Sequence, residues 1–259
     1  MSANRFGRIA VRLRWMGWLL ILQLGQTVQL GPVHADEALV RRARQLVLVI
    51  AASWSSSDGT ARRYERDAPG QHWRAVGGPF PVRLGRSGLG WRGDAGAPPP
   101  PPDAPLKREG DGRSPAGALP LGEMWGYDET APAGVLLPYH AARPSDRCVD
   151  DPEAPHYGQL VEAPASPPWR SAERMLRPDG LYRYLLVVRY NMDRPLPAVG
   201  SCIFVHLWDK ARSPTSGCTA MAVEDLLRLA RWLRPDTRPV LVQLPAPVYA
   251  RLRRTWGLP

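Results

Sequence analysis

The segment 201-SCIFVHLWDKARSPTSGCTAMAVEDLLRLARWL-233 decides the fold because it combines one strand, one turn and one helix. Residues 201–208 are apolar and rich in β-branched and aromatic side chains, which predicts a strand. Residues 223–233 repeat apolar side chains at helical spacing, with acidic residues early and arginines late, which predicts an amphipathic helix. The pattern therefore predicts that His206, near the end of the strand, and Cys218, in the turn before the helix, lie close to each other.

This cysteine and this histidine have the chemistry of a nucleophile and a base. Backbone N–H groups and the dipole at the start of the helix are expected to stabilise a Cys218 thiolate. His206 is expected to take the thiol proton and later return it to a leaving amine. Ser216 and Gly217 form the turn, and Gly217 permits a tight bend whose amides point at a developing oxyanion. On spacing alone, a buried structural thiol and a core imidazole are the alternative.

Short strands dominate the rest of the chain. Apolar runs at 45–54, 180–190 and 239–244 predict further strands, and Asp58-Gly59 predicts a two-residue hairpin turn. With one clear helix among many strands, the sequence predicts a β-rich α+β domain.

Two segments are predicted to be irregular. Residues 93–105 contain five consecutive prolines and are expected to form a solvated insertion in a surface loop. Residues 118–170 are rich in Pro and Gly, and long loops of this kind often build substrate clefts.

Residues 1–35 have the features of a secretory signal peptide. Four arginines precede the apolar run "WMGWLLILQLG", and "VHA" ends at Ala35, before Asp36. The alternative is an uncleaved anchor, but the run is much shorter than the roughly 20 residues that span a bilayer. We predict cleavage after Ala35 and a single mature domain over 36–259 without a stable membrane span. The mature protein is expected in the periplasm of a Gram-negative-type bacterium.

The formal charge of +10 comes almost entirely from arginine. The sequence has no zinc-finger spacing, basic helix or aromatic RNA-binding motif, so this charge does not predict binding to nucleic acid. A basic surface suits an anionic polymer or a carboxylate-rich substrate only through its long-range field.

The chain contains three cysteines. An oxidising compartment favours pairing, and an odd number of cysteines leaves one reactive thiol. A Cys148–Cys202 pair would leave Cys218 free. The alternative is that all three stay reduced, with Cys202 acting as a small core residue of its strand. No second Cys or His lies at ligand spacing, so the sequence predicts no metal site.

The pattern "GSCIFVH...SPTSGCTAM", followed by an amphipathic helix and a strand, resembles the catalytic core of the L,D-transpeptidase (YkuD-like) family of cell-wall enzymes. Further stretches resemble elements of that family: "KREGDGRSPAG" (107–117), "CVDDP" (148–152), "WRSAERM" (169–175) and "VVRYN" (187–191). The resemblance implies a β-rich catalytic fold with a mixed or sandwich-like sheet and one main helix after the nucleophile turn.

The resemblance also implies an acyl transfer with Cys218 as nucleophile and His206 as base. The thiolate attacks the diaminopimelate carbonyl next to the terminal D-alanine of a peptidoglycan stem peptide, which releases D-alanine and leaves a thioester. An amine of a second stem, or of a wall-linked protein, then takes the acyl group. No cofactor is implied.

The chain departs from the family pattern beside the nucleophile. The usual Ser/Thr-His-Gly-Cys followed by a polar residue is replaced by Ser216-Gly217-Cys218-Thr219-Ala220. The acceptor is therefore left open, and transfer to water would make the protein an L,D-carboxypeptidase or amidase. A third hypothesis is a non-catalytic cell-wall-binding module, against which the intact Cys–His pair argues.

Several polar residues are candidates for substrate binding. The aspartates among them are expected to orient His206 or to bind an ammonium group, and Asp beside Gly or Pro also commonly forms turns. The tyrosine and asparagine are expected to line the cleft, and the arginine to contact substrate carboxylates. These candidates are Asp111, Asp150, Asp151, Tyr190, Asn191 and Arg212.

Overall fold

A strongly twisted sheet that closes on itself is the centre of the fold. The computed structural model describes Met1 and residues 35–259, so the predicted signal peptide lies outside the described residues except at its two ends. In chain order the elements are α1 (Ala35–Arg42), β1 (Gln45–Ala51), β2 (Asp58–Glu65), β3 (Arg74–Arg83), β4 (Leu89–Trp91), β5 (Ser114–Gly126), β6 (Tyr139–Ala141), β7 (Asp146–Val149), β8 (Leu160–Glu162), β9 (Ala172–Arg174), β10 (Tyr184–Val188), β11 (Phe204–Leu207), β12 (Thr219–Met221), α2 (Val223–Trp232), a 3-10 turn (Pro235–Thr237), β13 (Val240–Pro245) and α3 (Ala246–Trp256).

The main sheet follows the order β10-β11-β12-β3-β2-β1-β13-β5, and β5 pairs back onto β10 to close the ring. Strands β4 and β6 add to β5 in parallel, and β8-β7-β9 form a separate small sheet. Closure leaves few free strand edges, which suits a protein built largely from short strands. The β-rich α+β class predicted from the sequence is confirmed.

Apolar side chains of the ring and the helices form the main core. Strand β1 is buried at six of its seven positions, which explains its continuous apolar sequence. Helix α2 covers the sheet with Leu226, Leu229 and Ala230, and α3 adds Val248 and Trp256. A second buried cluster contains Cys148, Cys202 and Cys218 with aromatic neighbours, and it underlies the candidate site.

The predicted strands at 45–54, 180–190 and 239–244 are found as β1, β10 and β13. The predicted Asp58-Gly59 turn is wrong. Both residues belong to β2, where Gly59 pairs with Ala51 of β1, and residues 52–57 make the connection. A Cβ on Gly59 would lie about 3.1 Å from Val49, so the glycine serves close packing rather than a turn.

Strand β5 was not predicted. Its last nine residues fall inside the segment 118–170 that was expected to be irregular, yet the strand pairs with four others. Prolines and glycines interrupt its sequence pattern, and pairing partners distant in the chain hold it in place. In the described part of the chain, no helix has both the length and the apolar character required to span a bilayer.

Candidate active site

Two parallel strands bring the histidine and the cysteine into one pocket. His206 of β11 pairs with Ala220 of β12, and Cys218 lies two residues before Ala220 on the same face. The Phe204 N–H points at the Cys218 Sγ from 3.3 Å. The pocket has a volume of about 190 Å³, below the roughly 300–1,000 Å³ of drug-sized ligand sites. It can therefore hold the reacting part of a larger ligand.

The backbone of Cys218 is fixed from two sides. Its carbonyl accepts hydrogen bonds from Ser114 Oγ at 2.7 Å and from Thr215 Oγ1 at 2.6 Å. Ser114 Oγ in turn accepts the Gly85 N–H at 2.9 Å. These contacts tie the cysteine turn to the start of β5 and hold the thiol in one position.

The environment of the thiol favours its neutral form. Burial raises the pKa of Cys218 to about 12, and the nearby charge of Glu173 adds to this effect. The Phe204 N–H acts in the opposite direction, because it donates to the sulfur. The expectation that a helix dipole stabilises the thiolate is wrong, because β12 separates Cys218 from the first residue of α2, Val223.

His206 is held as a neutral base. Its Nδ1 lies 2.7 Å from the Leu207 carbonyl oxygen. Because that oxygen only accepts, Nδ1 carries the proton and Nε2 keeps its lone pair. Burial lowers the pKa of His206 to about 4. The resting site is therefore a thiol beside a neutral imidazole that is able to accept a proton.

Sequence reasoning missed two further side chains of the pocket. Tyr182 is 4% exposed, and its ring contacts the rings of Phe204 and His206, with centroids 5.6 and 5.2 Å away. Its hydroxyl donates a hydrogen bond to Glu173 Oε2 at 2.5 Å. No local pattern singles out either residue, because Glu173 on β9 and Tyr182, just before β10, reach the cysteine only in the folded chain.

Charged and aromatic groups form the rim. Arg177 pairs with Asp179 and lies 4.9 Å from the centroid of the Tyr182 ring. Trp208 lines the pocket, and the guanidinium of exposed Arg212 stacks over it at 4.7 Å. Arg212 therefore reaches the site only through Trp208, and it does not itself line the pocket.

The comparison with protein families identifies the chain. The model of the YkuD family, described as the L,D-transpeptidase catalytic domain, matches residues 57–242. This chain belongs to the YkuD family. No curated protein and no solved structure matches it. The family consists of cysteine-dependent enzymes that modify peptidoglycan, and the matched range contains both His206 and Cys218.

Gly217 and Ser216, the predicted turn residues of this YkuD domain, make hydrogen bonds that were not expected. The Gly217 N–H donates to Thr215 Oγ1 at 3.1 Å, so in the free protein it is not available to an oxyanion. A Cβ at position 217 would lie 3.1 Å from the Arg113 carbonyl, which explains the glycine. Ser216 is exposed at the pocket edge, where its hydroxyl accepts a hydrogen bond from Arg86.

Tyr190 and Asn191 do not line the pocket that holds the cysteine, contrary to expectation. Tyr190 is fully buried, and its hydroxyl donates to the Val199 carbonyl. Asn191 has a φ of 51° and bonds both the amide and the carbonyl of Leu196. These residues close the connection between β10 and β11, because a buried loop must satisfy its own backbone groups.

The three candidate aspartates also lie away from the pocket that holds the cysteine. Asp111 accepts hydrogen bonds from Lys107 Nζ at 2.7 Å and from two backbone N–H groups, so it stabilises its own turn. Asp151 accepts the Arg170 N–H and side chain, and these bonds lower the pKa of Asp151. Asp150 has one buried oxygen without a hydrogen-bond partner among the described residues, and its charge adds to the burial that raises the pKa of Glu173.

A disulfide joins Cys148 of β7 to Cys202, across a sequence separation of 54 residues. Cys218 remains a free, buried thiol. The Cys202 carbonyl oxygen lies 3.5 Å from Cys218 Sγ, and Cys148 pairs with Glu173 of β9. The disulfide therefore connects the small sheet to the segment just before β11, the strand that carries the histidine. Among residues 35–259, no group of three metal-binding side chains is arranged around a common point.

Replacing both Cys148 and Cys202 with serine is expected to lower the free energy of unfolding by about 2–4 kcal/mol, because the cross-link restricts a long loop of the unfolded chain. Denaturant unfolding of the wild type with and without a reductant measures the same loss. Alkylation of the denatured, unreduced protein should add one label, and three after reduction. Three labels without reductant would show that the bond is absent.

Proposed function

We propose that the protein is an exported cysteine acyl-transferase that acts on peptidoglycan stem peptides through a Cys218 thioester. The observation that carries this proposal is the free Cys218 thiol in one pocket with a neutral His206, whose Nδ1 is bonded to the Leu207 carbonyl, in a chain of the YkuD family. A non-catalytic wall-binding module would have no use for this pair.

The geometry supports the following steps. His206 Nε2 takes the thiol proton as Cys218 Sγ attacks the diaminopimelate carbonyl next to the terminal D-alanine. The tetrahedral intermediate collapses, and the departing D-alanine amine receives the proton from His206. An acceptor amine then loses a proton to His206, attacks the thioester and restores the thiol. The product is a 3-3 cross-link, or a protein attached to the wall.

The oxyanion of this intermediate requires donors close to the thiol. The backbone of Gly217 and Cys218 is the candidate, and the Gly217 N–H must leave Thr215 Oγ1 to serve this role. The hydroxyl of Thr215 also donates to the Cys218 carbonyl, so its position is held while that exchange takes place.

A hydrolase on the same scaffold is the second candidate. It is favoured by the sequence Ser216-Gly217-Cys218-Thr219, which lacks the histidine that usually precedes Gly-Cys in the family. The acyl-enzyme would be identical, and water would take the place of the amine. The protein would then trim stem peptides as an L,D-carboxypeptidase or amidase.

Intact-protein mass spectrometry with a carbapenem or a tetrapeptide stem tests the nucleophile. The wild type is expected to gain the mass of one acyl group, and Cys218→Ala is expected to gain none. The double variant Cys148→Ser/Cys202→Ser, whose one remaining thiol is Cys218, is the matched control and should still be acylated. An adduct that persists in Cys218→Ala would refute the proposal. Adding an acceptor amine then separates transfer, which yields an amide, from hydrolysis, which yields the free acid.

Export is part of the same proposal. The predicted cleavage follows Ala35, and Asp36 is fully buried and paired with Arg92. A signal peptidase needs its substrate segment extended, and the Ala35–Asp36 bond lies at the start of α1. Cleavage therefore has to take place before α1 packs against the rest of the domain. The same mass spectrum tests this, because the exported protein should have the mass of a chain that begins at Asp36.

A further inference from the structure

The pocket that holds Cys218 also contains a tyrosine–carboxyl pair with no part in the steps above. The Tyr182 hydroxyl donates to Glu173 Oε2 at 2.5 Å, and both side chains line the pocket together with the thiol. Tyr182 and Cys218 belong to the same buried cluster. The hydroxyl therefore has a carboxyl group as its hydrogen-bond partner and shares the pocket with the nucleophile.

The pair is fixed relative to the thiol. Glu173 lies on β9, directly beside Cys148 of β7. Cys148 is bonded to Cys202, whose carbonyl faces Cys218 Sγ. The disulfide thus connects the strand that carries the carboxyl group to the segment that contacts the thiol.

The number of protons limits what Tyr182 can do. Its hydroxyl has one proton and two lone pairs, whereas an ionised carboxylate only accepts. When Glu173 is ionised, Tyr182 must donate to it and presents a lone pair to the sulfur. When Glu173 is protonated, its own O–H donates to the tyrosine oxygen, and the tyrosine proton is free for the sulfur. A thiolate then has two donors, Tyr182 and the Phe204 N–H.

We propose that Glu173 and Tyr182 form a positioning pair for the Cys218 thiol: a protonated Glu173 carboxyl directs the Tyr182 hydroxyl to the thiolate, and an ionised carboxylate draws it away. The inference rests on the proposed nucleophilic role of Cys218. It makes the proton on Glu173 a control on the reactivity of the thiol.

The electrostatics of the cluster agree with this geometry. Burial raises the pKa of Glu173, so a protonated form is accessible at higher pH than for an exposed glutamate. Burial also raises the pKa of Tyr182, so that it remains a donor throughout. The other charged or titratable groups that act on the cluster are Lys107, Glu109, Asp150, Arg177, Asp179 and His206.

The test is the rate at which iodoacetamide alkylates Cys218 in the oxidised, full mature protein, followed by mass spectrometry across the neutral pH range. Glu173→Gln is expected to raise this rate about tenfold, equivalent to one unit in the pKa of the thiol. Glu173→Asp keeps the charge but withdraws the carboxyl from Tyr182, and it is also expected to speed alkylation. A purely Coulombic effect of Glu173 would leave the rate of Glu173→Asp at the wild-type value.

Tyr182→Phe supplies the decisive comparison. If the hydroxyl carries the effect, Glu173→Gln should no longer accelerate alkylation when Tyr182 is absent. Glu162→Gln, on β8 of the same small sheet and bonded to Ser145, is the matched control and should behave as wild type.

Two results would overturn the proposal. One is that Glu173→Gln accelerates alkylation of Cys218 equally with and without the Tyr182 hydroxyl, and the other is a wild-type alkylation rate in both Glu173 variants. If Glu173→Gln does not fold, Glu173→Asp alone and combined with Tyr182→Phe gives the same decision. Failure of the proposed function gives a different result. The wild type would then form no Cys218 adduct with the stem peptide, although its alkylation rate would still respond to Glu173.

Discussion

Replacing His206 with glutamine is expected to slow acylation of Cys218 by about 10²–10⁴-fold, the usual contribution of a general base. Burial raises the pKa of the thiol to about 12, so at neutral pH it does not ionise without a base beside it. Glutamine keeps a polar side chain on β11 but has no nitrogen that takes up a proton. The rate of adduct formation with a carbapenem, followed by intact-protein mass spectrometry, measures the loss.

The pH profile of the same reaction identifies the base. Burial lowers the pKa of His206 from its ordinary 6.5 to about 4, so the imidazole stays neutral down to that pH. Wild-type acylation should therefore decline only as the pH falls through about 4. In His206→Gln the inflection near pH 4, which we call the acid limb, should disappear. The rate should instead rise in proportion to the hydroxide concentration until the thiol itself ionises.

The control for the histidine variant is His140→Gln. His140 is exposed on β6 and stacks on Trp125 with centroids 4.9 Å apart. Its replacement should leave both the rate and the acid limb unchanged. A wild-type profile in His206→Gln would mean that another group accepts the thiol proton.

The placement of His206 and Cys218 in one pocket could be predicted because their signal is local. His206 belongs to a continuous apolar strand, and Cys218 follows a Ser-Gly turn, so both positions are visible within a few residues of sequence. The state of the thiol could not be predicted in this way. It depends on burial beneath Tyr182 and on the charge of Glu173, which approach Cys218 from elements far away in the chain.

The same distinction applies to the fold. Strands β1, β10, β11 and β13 and helix α2 carry clear patterns, because each is buried continuously or on one face. Strand β5 carries none, because Pro115, Gly117 and Pro120 interrupt it. Pairing with β13 on one side and β10 on the other stabilises the strand despite these residues. Long-range pairing of this kind is not visible in the local sequence.

The candidate substrate-binding residues were misplaced for a related reason. Asp111 and Asn191 are polar residues near turns, which is also where a cleft is expected, but each satisfies the backbone of its own loop. Sequence alone does not distinguish a polar side chain that holds a loop from one that faces a ligand.

Replacing Arg92 with methionine is expected to lower the free energy of unfolding by about 3–5 kcal/mol, the usual result of removing one partner from a buried ion pair. The Arg92 guanidinium is buried between Asp36 and Asp94, with Nε 2.6 Å from Asp94 Oδ1. It also donates to the Ala118 carbonyl at 3.1 Å. Without it, two buried carboxylates face each other, and the Ala118 carbonyl of β5 loses a donor, although Asp36 still accepts the Ala118 N–H at 2.8 Å. Denaturant unfolding at neutral pH measures the change.

The loss of stability in Arg92→Met is expected to depend on pH, because Asp36 titrates. Burial raises the pKa of Asp36 from 3.8 to about 6, although the Arg92 charge opposes the shift. Without Arg92 that opposition is lost, so the folded chain holds the Asp36 proton more tightly than the unfolded chain does. The deficit of Arg92→Met should therefore shrink as the pH falls below neutral, because protonation removes the unpaired charge. Adding Asp36→Asn should recover part of the stability at neutral pH.

The control is Arg74→Met, which breaks the exposed pair with Asp67 and should cause no measurable change in the free energy of unfolding. An equal loss in Arg74→Met and Arg92→Met would show that burial does not set the energy of the Arg92 pair.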